Sequence, residues 1–336
     1  MQVVMALICV VAQPAGGQSN ESPRAAAIDS AIRPLVDSGF TGVVLVAHNG
    51  RVVLHRPYRS PRIKLDTSNV FWIGSITKEF TAGAVLRLAS ENRLRLTDSI
   101  SQFIPFAPAD KRKITIRQLL THTSGIDANF AGSELLDRDS AVKSILARPL
   151  YASPGTQYRY GDDDYRLLAA IVEIVSGTTW EEAIRRLLLQ PAGLNRTGFW
   201  SGRPDWGHKG ANGMSSTTGD LLRWTKVLRA GTVLTAREVR ALQGPQFLVR
   251  YSGHEAVYYG FGTRVYQLGG RTIEVFHSGS SDDGHTAAVR VLATGTTLIV
   301  LSNAGNHAGT TWSSYVAQHL PVRSRMVMSV IRGKPR

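Results

Sequence analysis

The hydrophobic period of this chain changes twice along its length, and that change constrains the fold more than any other feature. Gly42–His48 and Arg51–His55 are apolar, strand-like runs on either side of Asn49-Gly50. Asn-Gly accepts the positive φ values of a tight turn, so the two runs predict an antiparallel hairpin, preceded by a helix around Ala25–Ser38. From Ser75 to about Gly244 the period is helical. Ile76, Phe80, Ala84 and Leu88 recur every four residues, and Thr115 stands as the N-cap of Ile116–His122, ahead of Gly125. Ala169–Val175 runs to Gly177, and Thr178 and Thr179 each have a Glu three residues on, which predicts a capped helix that stops before Pro191. Thr235 and Glu238 repeat the device. Beyond Tyr258, alternating or short apolar runs return at Tyr258–Tyr266, Arg271–Phe276, His285–Leu292 and Thr296–Ser302, with a helix near Thr310–Leu320. Strands at both ends with helices between them predict an α+β fold. One antiparallel sheet is built from both chain ends with flanking helices, an all-helical region (about 75–245) is inserted between its halves, and a cleft lies where the two meet.

Composition excludes several classes. Of 336 residues, 43% are hydrophobic and 19% charged, enough to bury one or two cores and too apolar for a disordered chain. The 32 Gly and 14 Pro follow no Gly-X-Y period and no repeat of domain-building length, which removes collagen-like and solenoid architectures. The single Cys, Cys9, rules out a disulfide scaffold and a Cys-based metal site. The net charge is +14, but 31 of the 39 basic residues are Arg, a compositional bias. Arg323, Arg325, Arg332, Lys334 and Arg336 make residues 323–336 a basic tail. Basic residues do not alternate with stacking aromatics, so nucleic acid is excluded as a partner; a loose attraction to anionic membrane or wall polymer is what the charge allows. Val3–Ala12 is nearly all apolar and too short to span a bilayer, and small and breaking residues follow it to Gln18. Residues 1–22 therefore read as a secretory segment cleaved between Ala12 and Gln18, which places the protein in the periplasm or outside the cell, although no Lys or Arg precedes the apolar run. A lipid anchor at Cys9 and a buried first strand are the alternatives.

The chemistry starts at Ser75 and Lys78. Three positions apart at a helix start, a hydroxyl and an amine are neighbours. A serine becomes a nucleophile when a base removes its proton, and a helix N-terminus offers free N–H groups and a positive dipole end to an oxyanion. By itself the pair also fits an ordinary solvated helix face.

Four further stretches stand in order with it. They are Lys113–Gly125 with its Thr-His-Thr-Ser-Gly ending; Pro154-Gly155 followed by Tyr158–Asp162 and Tyr165–Leu168; Pro191–Thr197; and His277-Ser278-Gly279 followed by Leu301–Gly305. Together with Ser75–Lys78, over roughly Gly39 to Gly305, they resemble the serine β-lactamase and penicillin-binding family in its class C-like, DD-peptidase and esterase branch. The resemblance implies a β-lactamase/transpeptidase-like domain over residues 23–322 and a two-step acyl transfer without a cofactor or metal. Ser75 would attack a carbonyl, Lys78 and Tyr160 would share the proton traffic with the base unassigned, and the N–H groups of Ser75 and Ser280 would hold the oxyanion. Asp162, His277, Ser278, Gly279 and Ser280 would line the substrate cleft. The implied substrates are D-alanyl or other D-amino-acid peptides, as for a carboxypeptidase, then β-lactams and small esters; a catalytically weak penicillin-binding or sensor protein is the rival.

Two positions depart from the family pattern. Asp162 stands where Asn is usual, and a carboxylate beside Lys78 favours the ammonium, a poorer base, unless it is protonated or turned away. His277 stands where typical β-lactamases carry Lys, and its imidazole brings less charge to a substrate carboxylate, as in peptidases acting on D-amino-acid termini. Other constellations are weaker. His277, Asp282, Asp283 and His285 lack metal-ligand spacing, His122 and Ser124 read as a helix stop, Gly260–Gly262 lacks the remainder of a dinucleotide loop, and no Gly-x-Ser-x-Gly elbow exists. Asp162–Asp164 reads mainly as a helix N-cap with added dipole-complementary charge.

Overall fold

The structure is a computed structural model that describes residues 22–127, 134–200 and 205–320. The apolar stretch at 3–12, Cys9 and the basic tail lie outside the described residues. Helix α1 (Pro23–Asp37) leads into β1 (Gly42–His48) and β2 (Arg51–Tyr58); then come β3 (Phe71–Trp72), a 3₁₀ turn at Gly74–Ile76, α2 (Thr77–Ser90), α3 (Ile116–Leu120), α4 (Arg138–Leu146) and α5 (Asp163–Ser176). After these follow α6 (Trp180–Ile184), α7 (Gln190–Ala192), β4 (Gly198–Phe199), β5 (Met214–Ser216), α8 (Thr218–Ala230) and α9 (Ala236–Gln243). The chain then returns to strands: β6 (Phe247–Ser252), β7 (Glu255–Tyr259), β8 (Arg264–Leu268), β9 (Arg271–Ser280), β10 (Thr286–Leu292) and β11 (Thr296–Ser302), before α10 (Trp312–His319).

The eight-stranded sheet has the order β2-β1-β11-β10-β9-β8-β7-β6, every neighbour antiparallel. Pairing of β1 with β11 joins the two halves of the chain, Val43 facing Leu301 and Leu45 facing Ile299. The turn between β1 and β2 has φ +49° at Asn49 and +76° at Gly50, the backbone that the Asn-Gly pair predicts. Strand β1 is apolar along most of its length because both of its faces are covered. Val43 and Leu45 belong to a core with α2 and α5, Val44 and Val46 to a second core with α1 and α10. The fold is therefore the α+β, antiparallel architecture that the sequence predicts.

Several local expectations need correction. The region inserted between the sheet halves is not wholly helical: β4 and β5 pair with β3 in a small three-stranded sheet. The helix that Thr179 caps does not stop before Pro191; it widens into a π-helical segment at Arg185–Leu189 and ends at Gly193 with φ +64°. Wider i→i+5 spacing leaves room for a ring that an α-turn would force against a carbonyl. Tyr258–Tyr266 is not one strand, because Gly262, at φ +78°, turns the chain between β7 and β8. The added strand β6 went unread because its outward residues are polar or exposed. Nor do the acidic residues at 162–164 cap α5 through a side chain; Asp163 and Asp164 are buried in its first turn and bonded elsewhere.

Candidate active site

Ser75 sits in the 3₁₀ turn that leads into α2, half-buried, and Lys78 is fully buried one turn on. The Lys78 amine has three acceptors: Asp162 Oδ1 at 2.7 Å, Ser75 Oγ at 3.1 Å and the Ala211 carbonyl at 3.1 Å. Three acceptors match the three hydrogens of an ammonium. Burial opposes that charge, but the Asp162 carboxylate and the Tyr160 phenol outweigh it and raise the pKa of Lys78. Asp162 is correspondingly ionised. Burial pushes its carboxyl up, Lys78 and Arg166 pull it down further, and the outcome is about 2. So Asp162 is neither protonated nor turned away; it locks the cation beside Ser75.

The segment after residue 205 completes the lysine pocket. Thr81 Oγ1 donates to the Gly210 carbonyl at 2.8 Å and the Met214 N–H donates to Thr77 Oγ1 at 3.1 Å, tying α2 to the stretch that carries Ala211. Asn212 Nδ2 donates to Asp162 Oδ2 at 3.4 Å, while its Oδ1 is buried with no hydrogen-bond partner among the described residues.

Tyr160 places its ring 4.8 Å from the Lys78 amine and 6.1 Å from the His277 ring. Its hydroxyl is buried and has no hydrogen-bond partner among the described residues. Since buried polar groups are nearly always paired, this phenol faces the place where a further partner belongs.

Strand β9 brings the third motif against the nucleophile turn. A Cβ on Gly279 would collide with the Ile73 carbonyl oxygen and lie 2.9 Å from the Ser75 nitrogen, and one on Gly74 would lie 2.6 Å from the Ser280 nitrogen. Only glycine permits that approach, which brings the backbone nitrogens of Ser75 and Ser280 to the same contact between β9 and the nucleophile turn. His277 is buried, with Nδ1 2.6 Å from the Ser278 carbonyl and Nε2 3.4 Å from the Tyr259 hydroxyl. Burial, then Arg264 and Lys78, hold it well below the usual imidazole range, so the ring is neutral. Both nitrogens are engaged within the protein, and what lines the cleft is the Ser278–Ser280 edge; Ser278 is half-buried and Ser280 exposed.

Several groups at this site escaped sequence reasoning. His122, read as a helix stop, is buried at φ +55° with its ring 4.7 Å from those of Tyr160 and Tyr259. Asp164 and Ser124 bond beneath it. Arg264 on β8 sets its guanidinium 5.7 Å from the Tyr160 ring, with no carboxylate in ion-pair contact among the described residues. The Thr-His-Thr-Ser-Gly stretch was a signal for His122; one Arg among 31 carried none for Arg264. His285, one of the four residues that lack metal-ligand spacing, accepts the Trp72 N–H at 2.9 Å.

Comparison with known proteins gives the family. A family model described as Beta-lactamase matches residues 28–319. The chain belongs to the Beta-lactamase family. Its relatives include Penicillin-binding protein 4* of Bacillus subtilis (strain 168), 26% identical over 312 residues, which cover 79% of this chain and 68% of that protein. PbpX of the same organism is 32% identical over 170 residues, 49% of this chain and 43% of PbpX, so the match spans less than half of that relative. Among solved structures, the D-amino acid amidase of Ochrobactrum anthropi SV3 superposes with a TM-score of 0.75 at 19% identity, covering 93% of this chain and 100% of the amidase. An octameric penicillin-binding protein homologue from Pyrococcus abyssi gives 0.74 at 23%, covering 93% and 77%. These structures share the fold. In this member of the family a half-buried Ser75 accepts a hydrogen bond from a buried Lys78.

Proposed function

We propose that this protein forms an acyl-enzyme on Ser75 and hydrolyses amide or ester bonds next to a D-amino-acid terminus. The observation that carries the reading is the saturated Lys78 ammonium. Ser75 Oγ accepts one of its hydrogens, and Lys78 itself, held protonated by Asp162, has no lone pair with which to act as base. The remaining candidate is the Tyr160 oxygen, which takes the Ser75 proton as Oγ bonds to the carbonyl carbon and returns it to the leaving amine or alcohol; water then repeats the sequence in deacylation. The N–H groups of Ser75 and Ser280 receive the oxyanion. A terminal substrate carboxylate has an available counter-charge in Arg264 on the Tyr160 side of the cleft. The names of fold neighbours lend support: a D-stereospecific amidohydrolase from Streptomyces sp. and the Ochrobactrum D-amino acid amidase share this architecture.

The test is turnover of a D-alanyl-D-alanine peptide, p-nitrophenyl butyrate and a fluorescent penicillin. Peptide turnover that disappears in Ser75→Ala and falls at least about 100-fold in Tyr160→Phe supports the reading. Full activity of Tyr160→Phe would sink the base assignment, and activity that survives Ser75→Ala would sink the nucleophile. A second reading, a slow penicillin-binding or sensor protein, is favoured by the Lys78–Asp162 pair itself and predicts stable labelling without turnover.

Export and surface association belong to the same proposal. The apolar stretch at 3–12 supports export. Adjoining grooves at the opposite end of the strands from Ser75, one of about 640 Å³, are lined by Arg51, Arg223, Lys226, Arg229 and Arg240 and by no Asp or Glu. Binding to anionic vesicles that fades with salt and persists in Ser75→Ala supports association through this basic face.

A further inference from the structure

Asp164, His122, Tyr259 and His277 form a buried line of contacts behind Tyr160 that the acyl transfer itself does not use. Asp164 Oδ2 lies 3.1 Å from His122 Nδ1, His122 Nε2 lies 3.2 Å from the Tyr259 hydroxyl, and that hydroxyl lies 3.4 Å from His277 Nε2. Starting from the far end, one consistent set of directions satisfies every bond. His277 Nδ1 meets the Ser278 carbonyl at 2.6 Å, and a carbonyl oxygen only accepts, so Nδ1 carries a hydrogen. In a neutral imidazole Nε2 is then an acceptor, and the Tyr259 hydroxyl donates to it. The Tyr259 oxygen in turn takes the Nε2–H of His122, which leaves His122 Nδ1 with a lone pair facing Asp164.

That lone pair needs a donor. The other carboxyl oxygen, Asp164 Oδ1, accepts from Ser124 Oγ at 2.5 Å, and Ser124 Oγ itself takes the Ile126 N–H at 3.0 Å. One carboxyl oxygen accepts and the other must donate. We propose that Asp164 is a neutral carboxylic acid whose proton sets the tautomers of His122 and His277, and that it is thereby a positioning residue for the Ser278 peptide and the Gly279–Ser280 edge. Burial pushes Asp164 well above the usual carboxylate range, and burial with the neighbouring Lys78 ammonium pushes His122 well below the imidazole range. Two rival arrangements have an ionised Asp164: one against a His122 imidazolium, with two further cations, Lys78 and Arg264, close by, and one accepting from a neutral His122 Nδ1–H, with the Tyr259 hydroxyl turned to His122 Nε2 and no hydrogen left for the 3.4 Å contact to His277.

The effect on rate rests on the acyl-transfer reading; the tautomers do not, and each has its own readout. Two-bond ¹H–¹⁵N spectra of the full chain labelled at histidine will show His277 as the Nδ1–H tautomer and His122 as the Nε2–H tautomer at pH 7. Asp164→Asn will keep both, because the amide N–H₂ donates to His122 and the amide oxygen accepts from Ser124, and its kcat and KM will stay close to wild type. Asp164→Leu will mix the His277 tautomers and lower kcat by about tenfold or more with little change in KM. An imidazolium or an Nδ1–H pattern at His122 in the wild type, or a folded Asp164→Asn in which either tautomer changes, overturns the assignment even if the Leu variant fails to fold. Mixed tautomers with unaltered kcat in Asp164→Leu would overturn the positioning role alone.

Discussion

The ammonium of Lys78 donates to Ser75, Asp162 and Ala211, and Asp162→Asn removes the negative charge that compensates its own. The Asp162 side chain is 28% exposed, so the cost is discounted to roughly 1–3 kcal/mol from the 3–5 kcal/mol of a fully buried pair. Because the folded carboxyl is held near 2, its contribution is complete above the ordinary carboxylate range and disappears as pH falls from about 4 toward 2. The melting-temperature gap between wild type and Asn should close over that window. With the amine no longer held charged by Asp162, kcat/KM of the Asn variant should fall at a lower pH on its basic side than that of wild type, as Lys78 loses its proton; an unchanged profile would show that Asp162 is not what keeps Lys78 protonated. Glu79, the next residue, faces away from Ser75 and toward Gln243 at 3.4 Å, and burial raises its carboxyl to about 7. The folded state then binds a proton more tightly than the unfolded state. Stability relative to Glu79→Gln should fall as pH rises from about 4.5 to 7 and stay lower by about 2–3 kcal/mol above it. Denaturant midpoints at pH 5 and 8 decide this, and parallel values for the two proteins would refute it.

At the scale of elements, the closest approach in the site is between β9 and the turn before α2. Gly279→Ala drives a methyl into the Ile73 carbonyl and toward the Ser75 nitrogen. The variant should lose at least about 100-fold in kcat, the order expected when an oxyanion donor is displaced, while circular dichroism stays native. Near-normal kcat would show that the two backbones are free to separate. Local chemistry made many elements legible. The Asn49-Gly50 turn, the Thr115 N-cap, the Thr235–Glu238 capping box and the Gly177 helix end all form as their residue types predict. Ser75–Lys78 was legible because both partners lie on one helical turn. His122, Tyr259 and Arg264 were not. They come from a loop and from β7 and β8, and only the register of the sheet brings them to Tyr160. Pro191 misled for a related reason: a π-helical widening, invisible in residue type, absorbs the ring.

The whole molecule sets the cleft by closing the sheet around an insertion. β1, near the beginning, pairs with β11, near the end, and two cores on opposite faces of the sheet hold α2 and α10 in place. Ser75 is carried by the helical side and Gly279 by the sheet side, so the site exists only when both are docked. Acylation of Ser75 is therefore the central claim and also a report on the assembled fold. Intact-mass spectrometry with peptide mapping, after exposure to D-alanyl peptides, activated esters and β-lactams, tests it most directly. The account predicts a single acyl adduct on the peptide bearing Ser75, absent in Ser75→Ala. An adduct on another residue, Ser124 for instance, or no adduct and no turnover across the panel, would contradict it.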